Sequence, residues 1–594
     1  MKTKTASLYS GYEEEYGRDL LLRIAEEDVA VSVDTETTGL RVAELEDHVI
    51  GISIATVLST GPESHYFPIA HEKGANCDPS IIPLLEYALE GKSLYFANVQ
   101  FDVIGLLNLG LDLRQHDWYD VQTMANFINE NTPVRKSLDA LGEHYVGAKK
   151  VNDPYIEKEK KTGNHNVTPE EMWDYACVDA ELTYRVAEKL RSDPEWRRLD
   201  EETDVWPAKQ AAIRVLIEMR RRGVAVDTEL TRELELVGKA KQAELREQMQ
   251  FNPGSHPDNM RVFIEELKLP VLKTSVKTNK PSFDREVMEV YDLMLEKLDN
   301  PLAKQVKQYR GWNKATSACY TPYLALLAPD GRIHTTYNTH TTRTGRLSSS
   351  DPNLQQVPKV TDKPWNGRVK DCFVPRPGYV LMSFDYSQLE LRLGTAYSGE
   401  PSLKQTFEEG RDIFTEMSVG LGMERPDTKR FVYSMQYGAG IKKTMTGFQV
   451  SKKRAVEMID EYRTTYRAMA AFNNHCTRKA EENLYVTLWS GRRRHFRYKS
   501  EAYKAMNSVI QGGAADIVDR VMVKVFDEVD TPDECELLLQ VHDAFVFEIR
   551  EDLVDDYTPR ILAVMEDVNG ALPPHLTGSF DVRFAVDMTP WSGE

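Results

Sequence analysis

Apolar and polar positions change period three times along the chain. In the first 190 residues short apolar runs at 29–33, 49–55 and 94–97 alternate with helical stretches, which predicts an α/β domain. Between 206 and 300, Ile213, Val215, Leu216 and Met219 recur at helical spacing among Glu, Lys and Arg, and this predicts long helices. Turn formers at 251–257 and 277–282 mark loops at the ends of those helices. Strand-like segments return after about 330, clearest at 379–384 and 536–541, and enclose a mostly helical 401–490. The pattern is α/β followed by α+β, with one domain inserted in another and no internal repeat.

Length and charge refine this picture. A chain of 594 residues holds several domains. The net charge of −19 argues against a polyanionic partner until its distribution is considered: from Phe526 onward there are 17 acidic and 3 basic residues, which leaves −5 for the rest. Basic clusters at Arg492, Arg493, Arg494, Arg497 and Lys499, at Arg425, Lys429 and Arg430, and at Lys273, Lys277 and Lys280 are either polyanion grooves or solvated faces. No apolar run approaches the roughly 18 to 20 residues that a membrane helix needs. Six scattered cysteines without metal-site spacing fit a reducing compartment. Cytoplasmic localisation, without membrane association, is the expectation.

The first candidate chemistry lies at Asp34 and Glu36. Two acids two residues apart at a strand start project from one face. Side by side they raise each other's pKa unless a hard cation such as Mg²⁺ or Mn²⁺ joins them. Alone, the pair reads as a strand end entering a polar loop. Asn98 and Asp102 follow the third strand at a spacing of four, and Tyr175 precedes Asp179 by four, one helical turn. The order D-x-E, N-x-x-F-D, Y-x-x-x-D resembles the motifs of the DEDDy 3′-5′ exonucleases, proofreading domains of RNase H-like fold. The resemblance implies two divalent ions on Asp34, Glu36, Asp102 and Asp179, with Tyr175 positioning the attacking water. Arg135 and Lys136 either steer a single strand to the site or form a solvated helix start.

The second half carries four further segments. Residues 381–392 read as an apolar strand ending in Asp385 before a helix, and 537–548 as two strands joined by His542 and Asp543. If these strand ends adjoin, Asp385 and Asp543 form another pair suited to two metals; singly, each is a surface turn. Pro426 opens and Gly438 closes a helix on which Arg425, Lys429, Tyr433 and Tyr437 share one face at steps of four. The fourth signal is Thr344-Gly345-Arg346 together with Asn507 through Asp516.

These segments resemble motifs A, B and C of the family A, Pol I-like, DNA polymerases. The resemblance implies a right-hand fold of palm, fingers and thumb behind the exonuclease domain, extending a DNA primer-template with dNTPs and proofreading the product. By it, Asp385 and Asp543 hold two Mg²⁺, with Mn²⁺ as substitute. Arg425 and Lys429 bind the triphosphate, while Gln388, Glu390, Tyr433 and Tyr437 line the nucleotide, Glu390 excluding a ribose 2′-hydroxyl. Arg346, Asn507 and Gln511 contact the duplex, Arg346 and Gln511 at minor-groove acceptors. His542 supports the primer terminus or is a packed turn histidine.

The expected boundaries are 1–195 exonuclease, 206–330 thumb, 331–400 and 501–594 palm, and 401–500 fingers, with no space for a 5′ nuclease. Ala544 stands where many relatives carry Glu, so a third acid is lacking. Tyr433 is similar to phage replicative relatives, and a monomeric phage enzyme is the expectation. Partners such as a helicase, single-strand-binding protein or processivity factor are undetermined. A host-type repair polymerase, and an exonuclease with a nucleic-acid-binding C-terminal region, are the alternatives.

Overall fold

The computed structural model describes residues 11–133, 135–150, 153–159, 163–164, 166–275, 278–358, 363–365, 368–573, 575 and 580–591. Lys277, one of the basic-cluster residues, lies outside them. The chain forms two compact units. The first takes in the chain up to Arg222, Tyr337–Ser348 and Ser383–Met588, and the second Gly223–Thr336, Ser349–Met382 and the chain from Thr589.

The first unit opens on a mixed five-stranded sheet. Its strands are β1 (Val31–Thr37), β2 (Val49–Leu58), β3 (Gly61–Pro68), β4 (Ser93–Phe96) and β5 (Asp117–Asp120), in the order β3-β2-β1-β4-β5. β1 runs antiparallel to β2 and parallel to β4, so the α/β expectation holds. Three helices bear on the site this sheet carries: α1 (Val99–Asn108), α2 (Val121–Ile128) and α3 (Pro169–Arg191). α3 starts at a capping box in which Thr168 and Glu171 satisfy each other's backbone donors, and Pro169 sits in its first turn. In β1, Glu36 lies opposite Gly51, where any Cβ would stand 2.0 Å from the Tyr66 hydroxyl, so the close approach of that phenol requires glycine.

Helix α4 (Val205–Arg222) corrects a boundary. Its residues group by sequence with the helices that follow, at the head of 206–330, yet Ile213 and Ile217 pack in the same core as Val31, Leu106 and Trp118. Burial of its apolar face decides the assignment, not proximity in sequence.

A four-stranded sheet is built from β6 (Tyr379–Tyr386), β7 (Cys535–Val541), β8 (Ala544–Arg550) and β9 (Val586–Pro590), in the order β7-β8-β6-β9. Val541 pairs with Ala544, so β7 and β8 are joined by the two-residue turn His542-Asp543, with His542 at φ 60°. Helix α5 (Leu389–Ser398) follows β6, and α6 (Arg425–Gln436) buries Phe431, Val432 and Met435 in a core shared with α7 (Ala505–Glu528). In the second unit helix Thr228–Met249 packs on Leu302–Ala315, and Phe263, Met288, Tyr291 and Val306 fill a separate core. Among the described residues no helix is long and apolar enough to cross a membrane.

Candidate active sites

The first acidic site is assembled from β1, α1 and α3. Carboxylate oxygens of Asp34, Glu36 and Asp179 all lie within 4.8 Å of one another. Asp102 is held beside them by Thr35, whose backbone N–H and hydroxyl donate to Asp102 Oδ1 at 3.2 and 2.6 Å. Asp179 and Tyr175 are both buried on one face of α3, as the spacing of four requires. Burial, followed by the charges of Asp102, Asp179 and Glu36, holds the Asp34 carboxyl well above the usual carboxylate range. Burial pushes Asp102 up to about 7 against the hydrogen bonds from Thr35.

Lys150 enters this site from the chain after helix Leu138–Val146, and no motif marks it. It ion-pairs with Asp179 and stands 5.4 Å from the centre of the Tyr175 ring. Thr35 also escapes the sequence reading: it sits between two recognised acids but reads as a spacer. Lys136, a candidate for steering a strand, is buried and donates to the carbonyls of Asn129 and Pro133 at 3.0 and 2.7 Å, which makes it a loop clamp. Arg135 is exposed.

The second site lies at the ends of β6 and the β7–β8 hairpin. Tyr386 N–H donates to the Asp543 carbonyl at 3.2 Å, so Asp385, one residue earlier, adjoins Asp543. Arg346 Nη2 donates to Glu390 Oε1 at 2.8 Å and to Asp543 Oδ1 at 3.2 Å. Tyr437 and Gln511 each donate to Glu390 at 3.4 Å, so five side chains from five segments converge. Burial, with Asp543 adding to it, raises the Glu390 carboxyl, and Arg346, Gln511 and Tyr437 oppose the shift. Gly345 at φ 83° makes the turn that presents Arg346, and a Cβ there would meet the Arg492 guanidinium at 2.6 Å.

On α6, Arg425 and Lys429 are exposed, Tyr433 half-buried and Tyr437 exposed at the helix end, so the four form the expected stripe. Arg425 is engaged by Asp412 through two hydrogen bonds of 3.0 and 2.6 Å. Tyr433 packs against Phe414 with ring centres 5.8 Å apart, and burial followed by Glu390 raises its phenol. Gln388 takes a left-handed φ of 52° at the start of α5. Asn507 and Gln511 are one turn apart on α7, and the buried Asn507 Oδ1 has no hydrogen-bond partner among the described residues. His542 occupies the hairpin turn.

The arginine triplet 492–494 is not a polyanion groove. Arg492 is buried and donates to Asp516 at 2.8 Å and to the Thr344 carbonyl at 2.8 Å. Arg493 pairs with Glu195 at 2.6 Å, and Arg494, also buried, pairs with Glu130. Lys273 is likewise engaged, by Asp284 at 2.6 Å and Glu286 at 2.8 Å. A local run of charge shows nothing of acids that lie hundreds of residues away.

An α/β domain with a carboxylate cluster, followed by a palm-like sheet with a second acid pair beside a cationic helix, defines a multidomain chain with two separate acidic centres. The chain belongs to DNA polymerase family A: the family's model matches residues 224–589, and a model described as 3′-5′ exonuclease matches residues 13–194. DNA polymerase I of Pseudomonas aeruginosa is 29% identical over 590 residues, covering 92% of this chain and 62% of that protein. The thermostable DNA polymerase I of Thermus aquaticus is 32% identical over 441 residues, covering 68% and 51%. The chain thus spans about three-fifths or less of the length of these relatives. The POL domain of Pol1 from M. smegmatis, solved in complex with DNA primer-template and dNTP, matches its fold with a TM-score of 0.80 at 22% identity, covering 99% of both chains. These relatives are bacterial, and they give no support to the expectation of a phage enzyme.

Proposed function

We propose that this chain is a DNA-directed DNA polymerase that extends a primer 3′ end with dNTPs, and that its N-terminal domain removes 3′ nucleotides at a separate site. The observation that carries the reading is the convergence of Arg346, Tyr437 and Gln511 on Glu390, with Arg346 bridging to Asp543 and Asp385 adjoining. A buried acid ringed by donors and bordered by a phenol is a surface that can measure a nucleotide's sugar and the shape of a base pair.

Both acid sets are hard oxygen donors, and the mutual repulsion within Asp34, Glu36 and Asp179 fits a divalent cation. Asp385 and Asp543 would hold two Mg²⁺ at the polymerase site, and Asp34, Glu36, Asp102 and Asp179 two at the exonuclease site, with Mn²⁺ as substitute. The ions would supply Lewis acidity towards the phosphate and the reacting oxygens. The chain's own side chains do the rest. Arg425 and Lys429 neutralise triphosphate charge, Arg425 by exchanging Asp412 for phosphate. Tyr433 and Gln388 bound the sugar, and Glu390 closes the space beside its 2′ carbon. Arg346, Asn507 and Gln511 offer polar atoms to the duplex. His542 borders the primer terminus. Tyr175 orients water at the exonuclease site.

Residues 223–330 serve as thumb, 331–400 and 501–594 as palm, and 401–500 as fingers. Phage genome replication is a reading that rests on Tyr433, and host repair is its alternative. Extension of a labelled primer with and without dNTPs tests the proposal. Wild type lengthens it only with dNTPs, Asp543→Ala only shortens it, and Asp34→Ala with Glu36→Ala lengthens it without shortening. Shortening alone in wild type would leave an exonuclease with a binding domain.

A further inference from the structure

Lys150 is the one cation that ion-pairs with the first acidic site among the described residues. Its ammonium pairs with Asp179, which shares a 4.8 Å cluster with Asp34 and Glu36, and it stands 5.4 Å from the Tyr175 ring centre. Three carboxylates this close require positive charge nearby to stay ionised together. An ammonium on a four-carbon stem supplies one unit of it from a flexible tether, where a divalent ion supplies two at a fixed point. The Asp179 side chain is 3% exposed and that of Lys150 is 29% exposed, so the lysine has an open path out while the aspartate has none. A divalent ion that takes Asp179 as a ligand claims the carboxylate that Lys150 holds, and two cations at one carboxylate repel each other.

We propose that Lys150 is the resident counterion of the exonuclease site, holding Asp179 in place until a divalent ion displaces it, and so setting the metal affinity of the site. Lys150 is a positioning residue in this scheme and touches no reacting atom. The proposal rests on the metal-dependent reading given above, and the experiment separates the two.

Mn²⁺ is titrated into the full chain, with free ion followed by electron paramagnetic resonance, in an Asp385→Ala and Asp543→Ala background that silences the other site. Lys150→Met keeps the stem and removes the charge; Lys150→Arg keeps the charge. Lys150→Met is expected to bind Mn²⁺ about tenfold more tightly than the parent. Its thermal midpoint is expected to fall in EDTA and to recover fully in saturating Mn²⁺, while Lys150→Arg behaves as the parent in both measurements. Unchanged or weaker Mn²⁺ binding by Lys150→Met overturns the proposal, as does a midpoint that falls equally with and without Mn²⁺, the signature of a lysine that only braces the fold. If the parent binds no Mn²⁺ that Asp34→Ala with Glu36→Ala removes, the metal reading of the site fails and the role of Lys150 with it.

Discussion

Arg346 donates to Glu390 at 2.8 Å and, through the same Nη2 atom, to Asp543 at 3.2 Å. One guanidinium thereby bridges the acid on α5 and the acid at the hairpin turn, although 197 residues separate Arg346 from Asp543. Hydrogen bonds to charged groups contribute about 1.5–3 kcal/mol each. Arg346→Ala should therefore lower kcat/KM for primer extension about 10- to 100-fold and leave 3′ degradation unchanged. Single-turnover extension and degradation rates on one substrate check this, and an equal loss of both would assign Arg346 to the fold instead.

Glu390 is buried and receives Arg346, Tyr437 and Gln511. Glu390→Ala opens space beside the sugar, and ribonucleotide incorporation relative to dNTP should rise about tenfold or more, since exclusion by a filled site is worth about 1–3 kcal/mol. Competition between rNTP and dNTP on one template reads the ratio. No change would place the sugar elsewhere.

Tyr433 is half-buried against Phe414 and lies near Glu390, Asp543 and Asp385, and its burial, followed by the charge of Glu390, keeps its phenol protonated. A neutral hydroxyl can stand in for a missing 3′-hydroxyl contact, so Tyr433→Phe should increase discrimination against dideoxynucleotides. Terminator assays with matched dNTP and ddNTP measure it. An unaltered ratio removes this role.

Glu130 joins the exonuclease domain to the short strand Arg493–His495 of the same unit: it pairs with buried Arg494 and accepts from the His495 N–H at 2.8 Å. Burial alone would raise its carboxyl, but the hydrogen bond from His495 and the charges of Arg494 and His495 hold it below the usual range. Its stabilisation is therefore present above the ordinary carboxylate pKa and is lost as pH falls through the lowered one. Glu130→Gln leaves Arg494 buried without its counter-charge and should cost about 3 kcal/mol at neutral pH. The midpoints of the two proteins should converge in acid; equal midpoints at neutral pH would show that the pair contributes no net stability.

Gln436 on α6 is 1% exposed, and neither end of its amide finds a hydrogen-bond partner among the described residues. Each unsatisfied buried polar group costs about 1–3 kcal/mol. Gln436→Leu, close in volume, should raise the thermal midpoint. A lower midpoint would mean that the amide is satisfied in solution.

Local sequence determined the parts whose signal is short-range. Alternation and apolar runs marked β1, β2, β4, β6 and β7 because a buried strand shows its period in a few residues. A spacing of four placed Tyr175 above Asp179 and aligned Arg425, Lys429, Tyr433 and Tyr437, because the helix turns through 100° per residue. Only the tertiary structure decided which charges meet. Arg494 finds Glu130 364 residues away, and Arg492 finds Asp516 and the Thr344 carbonyl, so residues that read as a groove for phosphate are consumed inside the protein. Lys150 reaches Asp179 from a segment with no motif, and Thr35 on β1 orients Asp102 on α1. A strand or helix period is written in neighbouring residues. A buried charge takes its partner from wherever the fold brings one, because leaving it unpaired costs several kcal/mol.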